Sequence, residues 1–323
     1  MSELKRNQLY FVEGEGRINN EEEANEYDAY MAHIREAPET EEWIIEKEES
    51  ETKIIDWLIS QVSNVAEAYG TVPNKIRSEH IHIILEKEFE KIRVARKSPY
   101  MMGMSNINGI FIGEDGVESL NGLLRLTHET FHAFSYNKIL LDQAGQYKNF
   151  FRVGVSFDHG KNESLRFRRF DGLNEGITQE LTNLFYSIII RNSELLKPLI
   201  EGFDNEHAGQ EKWTFPESAQ ARWSVVHLFY DLCCQIKENS ENKFVNTMEV
   251  MDQFFKIYFS GDIKDLKPLL DLIDKRCFND LAEIDGGDEL ESLEQVSQFR
   301  KKYGLKEDPD LVRVIKDRKK EFK

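Results

Sequence analysis

Apolar residues along most of the chain recur every three or four positions, the period of amphipathic helices. One helix is predicted from about Glu118 to Lys138, where leucines and phenylalanines form one buried side. The other predicted helices lie at about 40–69, 174–191, 193–201, 216–238, 242–259 and 262–274, with a charged helix from about 292.

Strand patterns occupy the middle of the chain. The run IHIILEKEFEKIRV at 81–94 fits one long strand, a hairpin or a strand that continues into a helix, and we predict a strand for its first half. A turn rich in glycine and asparagine leads into a second strand, GIFIG at 109–113. Residues 150–170 alternate around the turn-like DHGKN, which predicts a β-hairpin.

These elements predict an α+β fold. We expect a small, mostly antiparallel sheet packed on the helix at 118–138, followed by a predominantly helical C-terminal half. Residues 1–60 carry 17 acidic and 6 basic side chains, so the first segment has a distinct composition. We therefore divide the chain into an acidic, partly helical segment at 1–70, a core at 71–191 and a helical region at 192–323.

Charge and hydropathy exclude two classes of partner. The 323 residues have a formal net charge of −17, which would repel a phosphate backbone, and we find no basic stripe to offset it. No apolar run approaches the roughly 20 residues that a membrane-spanning helix needs. We therefore expect neither a nucleic-acid nor a membrane partner, and the oligomeric state is left open.

The cysteines indicate a reducing compartment. Cys233 and Cys234 are adjacent and Cys277 is distant, so the three cannot build a disulfide framework. The polar start MSELKRNQ lacks the apolar core of a signal peptide. We expect a cytoplasmic protein, although an effector exported without a leader would have the same features.

A pair of histidines in the 118–138 helix carries the candidate chemistry. The sequence HETFH places His128 and His132 four residues apart, on one face of a helix, where two ring nitrogens can reach one tetrahedral ion. Glu129 lies on the flank of that face and can accept a proton from a metal-activated water. The alternative is a surface histidine pair beside an ordinary salt-bridging glutamate.

A carboxylate downstream favours the metal site. The sequence GLNEGITQEL opens another amphipathic helix and places Glu175 in its first turn, where a buried metal-binding carboxylate can be held. Three protein ligands leave a fourth position open for water or substrate, which is typical of a catalytic zinc site. Structural zinc sites have four protein ligands instead, usually with cysteine among them.

HETFH followed by LNEGITQEL resembles the gluzincin metallopeptidases, the superfamily of thermolysin and the aminopeptidases, over residues 105–190. The resemblance implies that His128, His132 and Glu175 bind zinc, that Glu129 is the general base, and that the strand GIFIG is the edge strand along which a peptide aligns. The 42 residues between His132 and Glu175 are nearer the long spacers of the lethal-factor and clostridial-neurotoxin types. Gln179 stands where thermolysin-like enzymes have an aspartate that orients a zinc histidine.

The remaining polar residues leave alternatives open. Peptide hydrolysis needs a group that stabilises the oxyanion, and the sequence does not choose among Tyr136, Tyr186, Arg222, His227 and Tyr230. His80 and His82 would share one face of a strand, where we favour an edge-strand role over a second metal site.

The predicted function is that of a zinc-dependent metallopeptidase acting on a peptide or protein substrate. Two rivals remain. One is a zinc-dependent hydrolase of a non-peptide amide, and the other is a zincin-like binding module that has lost activity. We expect an extended peptide to add to the sheet at 108–113, because those residues directly precede the metal helix.

Overall fold

The computed structural model describes the greater part of the chain. The described residues are 10–13, 44–70, 76–85, 87, 89–90, 103–106, 109–113, 116–141, 147–158, 168–206, 222–287 and 289–321. They form two compact units. The first unit comprises Met1–Phe151 and Leu181–Ala221, and the second comprises Arg152–Glu180 and Arg222–Lys323.

The first unit contains a four-stranded sheet. Its strands are β2 (Ile44–Ile45), β3 (Ile81–Ile84), β4 (Gly103–Asn106) and β5 (Gly109–Ile112), and they lie in the order β2-β3-β5-β4. The β2–β3 and β4–β5 pairs are antiparallel, whereas β3 and β5 run parallel. The isoleucines of β3 and β5 are almost fully buried, which explains the continuous apolar runs in the sequence.

Two helices pack together in this unit, α1 (Glu49–Ala68) and α2 (Leu120–Phe134). Helix α2 also packs on β4 and β5. Helix α1 begins with a capping box in which Glu48 and Glu51 satisfy each other's backbone N–H groups. Its buried face consists of Ile55, Leu58, Val62 and Ala66. The C-terminal part of the acidic segment therefore contributes to the core of the first unit.

A second sheet begins in the first unit, where β1 (Tyr10–Glu13) pairs antiparallel with β6 (Asn137–Leu141). Strand β7 (Tyr147–Val153) follows β6 in the sheet order and contains the boundary between the units. In the second unit the end of β7 pairs with β8 (Ser156–Asp158), and β8 pairs with β9 (Arg168–Arg169).

The remaining structure is helical. In the first unit, α4 (Lys197–Glu206) packs near α2. Helix α3 (Asp171–Ile188) starts in the second unit and ends in the first. The other helices of the second unit are α5 (Trp223–Asn239), α6 (Thr247–Ser260), α7 (Leu266–Leu270), α8 (Cys277–Leu281), α9 (Leu290–Lys302) and α10 (Pro309–Glu321). None of the helices in the described ranges is long and apolar enough to cross a membrane.

The predicted α+β class is confirmed, with a mostly antiparallel sheet against α2 and a largely helical C-terminal half. Several local predictions are wrong, and one of them concerns Gly103–Asn106, which were predicted as part of a turn but form β4. The helix expected at 40–69 starts only at Glu49, because Ile44 and Ile45 pair with β3 instead. The helix expected to reach Lys138 ends at Phe134, because β6 begins at Asn137.

The position of GIFIG also differs from the prediction. The strand itself is confirmed as β5, but it has β3 on one side and β4 on the other, so it is an interior strand. Within the described part of the sheet, the edge beside it is β4. Asn108 and residues 159–162 of the DHGKN turn lie outside the described residues, although the antiparallel β8–β9 pair agrees with the hairpin expected there.

Candidate metal centre

Helix α2 starts from a compact turn. The hydroxyl of Ser119 accepts a hydrogen bond from the Gly122 N–H at 2.9 Å and caps the helix. Position 122 requires glycine, because a Cβ there would overlap the carbonyl oxygen of Gly116. The start of the helix is therefore fixed two turns before the histidines.

The end of α2 is fixed as well. The last carbonyls of a helix have no partner within it, and here two polar side chains satisfy them. Ser135 Oγ donates to the His132 carbonyl at 2.7 Å, and Asn137 Nδ2 donates to the same oxygen at 3.0 Å and to Ala133 O at 3.1 Å. Because both bonds end on the carbonyl of His132, they hold the backbone from which this imidazole projects.

His128 and His132 lie side by side on the buried face of α2. Each is 7% exposed. Their Nε2 atoms are 3.1 Å apart and their rings are inclined at 77°. Two ligands of a tetrahedral zinc ion, bound at about 2.0–2.1 Å, lie about 3.3–3.4 Å apart, so the two nitrogens have nearly the separation that zinc requires.

Helix α3 positions Glu175 through the residues on either side of it. The side-chain oxygen of Asn174 accepts a hydrogen bond from Val155 N–H at 3.1 Å. A Cβ at Gly176 would lie 2.7 Å from the carbonyl oxygen of Val225, so only glycine permits α5 to approach this closely. The sequence Asn-Glu-Gly therefore places one carboxylate between two packed backbone segments.

The three predicted ligands come together. The ligand atoms of His128, His132 and Glu175 all lie within 4.8 Å of one another, and all three residues are buried. In the described part of the chain these residues form the one group of histidine, cysteine, aspartate and glutamate side chains that could hold a metal ion. The structure therefore contains a possible metal-binding site at the predicted residues.

The chemistry of this donor set fits zinc. Two neutral imidazoles and one carboxylate are the ligands of an open catalytic zinc site, whereas metal sites built for calcium or magnesium are rich in oxygen ligands. These residues could therefore hold one divalent ion and leave a coordination position for water or substrate.

Glu129 accompanies this group on α2. At about 100° per residue, it projects about 60° from His132 around the helix axis. Its side chain is partly exposed, in contrast to the buried histidines. Glu129 therefore lies on the partly exposed flank of the histidine pair.

Sequence reasoning missed a second set of contacts around Glu175. Arg222 Nε lies 2.9 Å from Glu175 Oε2, and Arg222 Nη1 donates to the carbonyl oxygen of Gly286 at 2.9 Å. A Cβ at Gly286 would overlap Cγ of Glu175. The adjacent glycines in EIDGGD were the available signal, but nothing in the sequence links them to residue 175.

The other oxyanion candidates have varied environments. Tyr136 and Tyr186 are buried, and the hydroxyl of Tyr186 accepts a hydrogen bond from Arg191. His227 contacts Asp308 at 2.8 Å, and Tyr230 is 51% exposed. Among the five candidates, Arg222 contacts a predicted ligand, Glu175.

The remaining histidines and cysteines do not form a second site among the described residues. His80 lies in a 3₁₀ turn before β3, where its Nδ1 accepts a hydrogen bond from Arg77 N–H, and His82 lies beside the ring of Phe111. They do not share one strand face, because only His82 belongs to the strand. All three cysteines are free thiols.

Comparisons with protein-family models, with curated proteins and with solved structures give no match for this chain. The functional interpretation therefore rests on the geometry and chemistry of the site itself.

Proposed function

We propose that this protein is a zinc-dependent metallopeptidase of the gluzincin type. The observation that carries the proposal is the convergence of His128, His132 and Glu175 in a buried site, with Glu129 beside them on α2. A chance histidine pair on a helix surface would not be buried or joined by a carboxylate from a helix that begins 39 positions after His132.

The roles of the residues follow from their chemistry. His128, His132 and Glu175 would hold the ion. When bound, zinc supplies Lewis-acid chemistry, polarising the scissile carbonyl and making water a stronger acid. Glu129 would take the proton of the attacking water and deliver it to the leaving amine.

The order of the strands changes where we expect the substrate to bind. An extended peptide adds to a strand whose hydrogen-bonding groups are not already used by a neighbour. Strand β5 has neighbours on both sides. We therefore place the peptide along β4, which is an edge strand in the described part of this sheet and packs on α2.

The first test separates ligand from base. Purified protein should hold about one zinc per chain, and His132→Ala should lose most of it because an open site has only three protein ligands. Glu129→Gln preserves size but cannot take a proton, so it should retain zinc while hydrolysis falls by at least about 10²-fold. Metal content would be measured by elemental analysis, and activity with a library of fluorescence-quenched peptides.

Each alternative function predicts a different outcome in this experiment. Protein without zinc, when never exposed to a chelator, would overturn the metal assignment. Zinc-loaded protein that cleaves no peptide but hydrolyses small amides would support the amide hydrolase, and zinc binding without any hydrolysis would support the binding module. Undiminished hydrolysis by Glu129→Gln would place the base at another residue.

A further inference from the structure

A short segment of the second unit lies against the start of α3. We call residues 282–287 the strap. The first N–H groups of a helix have no partner within it, and here the strap supplies acceptors to two of the N–H groups at this end. The carbonyl of Ala282 accepts from Phe170 N–H at 3.0 Å, and that of Ile284 accepts from Gly172 N–H at 2.9 Å. Glu175 is the fifth residue of α3, so the strap caps the turn that directly precedes it.

Two glycines have no room for a side chain where the strap contacts α3. A Cβ at Gly172 would lie 2.8 Å from Cγ2 of Ile284, and a Cβ at Gly286 would overlap Cγ of Glu175. The backbone of Gly286 therefore packs directly on the side chain of the third predicted ligand, and a larger residue there would displace the carboxylate.

Arg222 joins the strap to the carboxylate. Its Nε contacts Glu175 Oε2 and its Nη1 donates to Gly286 O, both at 2.9 Å, so one planar guanidinium spans both groups. Arg222 has a left-handed backbone with φ of 55°, which costs energy for a residue with a side chain. Surrounding contacts must maintain this conformation, and the fork to Glu175 and Gly286 is one of them.

We propose that Arg222 and the strap are a positioning device that holds the Glu175 carboxylate in its ligand orientation before a metal ion arrives. This inference rests on the proposed metal site but not on the proposed peptidase activity. Arg222 acts on the metal only through Glu175. Its Nε contacts one carboxylate oxygen, Oε2, and the carboxylate would hold the ion.

Two physical effects make such a device useful. A glutamate side chain has several rotatable bonds, and fixing them in advance removes an entropy cost from metal binding. The carboxylate of Glu175 is also only 12% exposed, so a paired cation stabilises it when no metal is bound. Removal of groups that orient a metal ligand typically lowers metal affinity about 10- to 100-fold.

The test is a double-mutant cycle with Zn²⁺ alone as the probe. Zinc affinity would be measured by competition with a chromophoric chelator for wild type, Arg222→Gln, Glu175→Gln and the double variant. We expect Arg222→Gln to lower affinity about 10- to 100-fold in the wild-type background. In the Glu175→Gln background, where the carboxylate is absent, the same change should alter affinity less than about 3-fold.

Three further variants sharpen the cycle. Gly286→Ala should lower zinc affinity like Arg222→Gln, because the added Cβ displaces Glu175. Arg222→Lys should give an intermediate loss, because an ammonium keeps the charge but not the fork. Arg191→Gln is the matched control, since Arg191 also pairs with a carboxylate, Asp204, at similar side-chain exposure (38% against 32% for Arg222), and it should leave zinc affinity unchanged.

Circular dichroism of each metal-free variant separates folding from positioning. If Arg222→Gln does not fold, Arg222→Lys and Gly286→Ala take its place in the cycle. An unchanged or increased zinc affinity would overturn the inference, and so would an equal loss in both backgrounds, which would indicate a purely structural role. Wild-type protein that binds no zinc would overturn the proposed function together with this inference, whereas failure of peptide cleavage alone leaves the inference standing.

Discussion

At the scale of single residues, the candidate metal site combines local helix geometry with contacts between residues distant in sequence: α2 sets the separation of the two imidazoles, and Arg222 and Gly286 contact Glu175. The i, i+4 relation fixes His128 and His132 on one face without knowledge of the rest of the fold. The contacts of Arg222 and Gly286 with Glu175 could not be predicted from the sequence in this way. These two residues reach Glu175 from 47 and 111 positions farther along the chain (222 − 175 and 286 − 175), and no local pattern reports contacts between residues so far apart.

Another residue with several roles is Asp308, at the start of α10. Its Oδ1 accepts hydrogen bonds from Asp310 and Leu311 N–H, which makes it the helix cap, and its Oδ2 contacts His227 Nδ1. Burial alone would raise the pKa of this carboxyl, but the hydrogen bonds from His227 and Leu311 and the charges of His227 and Arg300 outweigh burial and lower the pKa below its ordinary 3.8.

This arrangement predicts an acid-dependent loss of stability. A carboxyl whose pKa is lowered by folding contributes stability above its unfolded pKa and loses that contribution as the pH falls through its folded value. Asp308→Asn keeps a capping oxygen but removes the charge, so it should lower the free energy of unfolding at pH 7 by about 0.5–1 kcal/mol. The difference from wild type should shrink below pH 4, as measured by urea denaturation at several pH values.

Asp308→Ala serves as the companion variant. It also removes the cap and should cost about 1 kcal/mol more than Asp308→Asn. A constant difference between wild type and Asp308→Asn from pH 7 to pH 3 would contradict the role given to the charge.

At the scale of elements, the sequence predicted the apolar strands β3 and β5 but not how they pair, and it did not predict β1, β2, β4 or β6. The apolar run of β5 was recognised, but its interior position depends on β3 and β4, and strand partners are chosen by contacts distant in sequence. The same reason explains why Ile44 and Ile45 were predicted as part of a helix. Their apolar character fits the helix pattern, but in the structure they pair with β3. Helices were placed more accurately because their hydrogen bonds are local.

The edge position of β4 gives a prediction about substrate binding. In an antiparallel strand, successive N–H groups point in opposite directions within the sheet. Of Met104→Pro and Ser105→Pro, one therefore removes a bond to β5 and the other removes an outward donor. The outward variant should fold normally and raise KM about 3- to 10-fold, the value of one backbone hydrogen bond, whereas the inward variant should be less stable.

Peptide hydrolysis kinetics and thermal melting would identify the two variants. Ile188, which is exposed at the end of α3, offers a control position whose change to alanine should alter neither measurement. If both proline variants fold and leave KM unchanged, the substrate does not pair with β4.

At the scale of the whole molecule, the buried core consists mostly of aromatic and aliphatic side chains. In the second unit, Phe229 of α5 packs against Phe254 and Phe255 of α6 with ring centroids 5.3 and 6.2 Å apart. Two cysteines belong to such cores. Burial raises the pKa of Cys277 to about 12 and raises that of Cys233 well above its usual range, so both are protected thiols.

The cysteines therefore report on unfolding. In native protein we expect iodoacetamide to modify Cys234, which is partly exposed, and to leave Cys233 and Cys277 unmodified. In denaturant all three should react, and mass spectrometry of peptides would assign each site. Rapid modification of Cys277 under native conditions would show that the region around α8 opens far more readily than the burial of Cys277 implies.

The path of the chain limits how this protein can be divided for expression. One boundary between the two compact units falls between Phe151 and Arg152, inside β7, and another falls between Glu180 and Leu181, inside α3. A fragment cut at either point would begin or end with a broken strand or helix and exposed hydrogen-bonding groups. Glu175 would also be separated from the second half of its own helix. Truncation studies should therefore keep residues 147–188 on one polypeptide, and the natural places for tags or inserted domains lie elsewhere in the sequence.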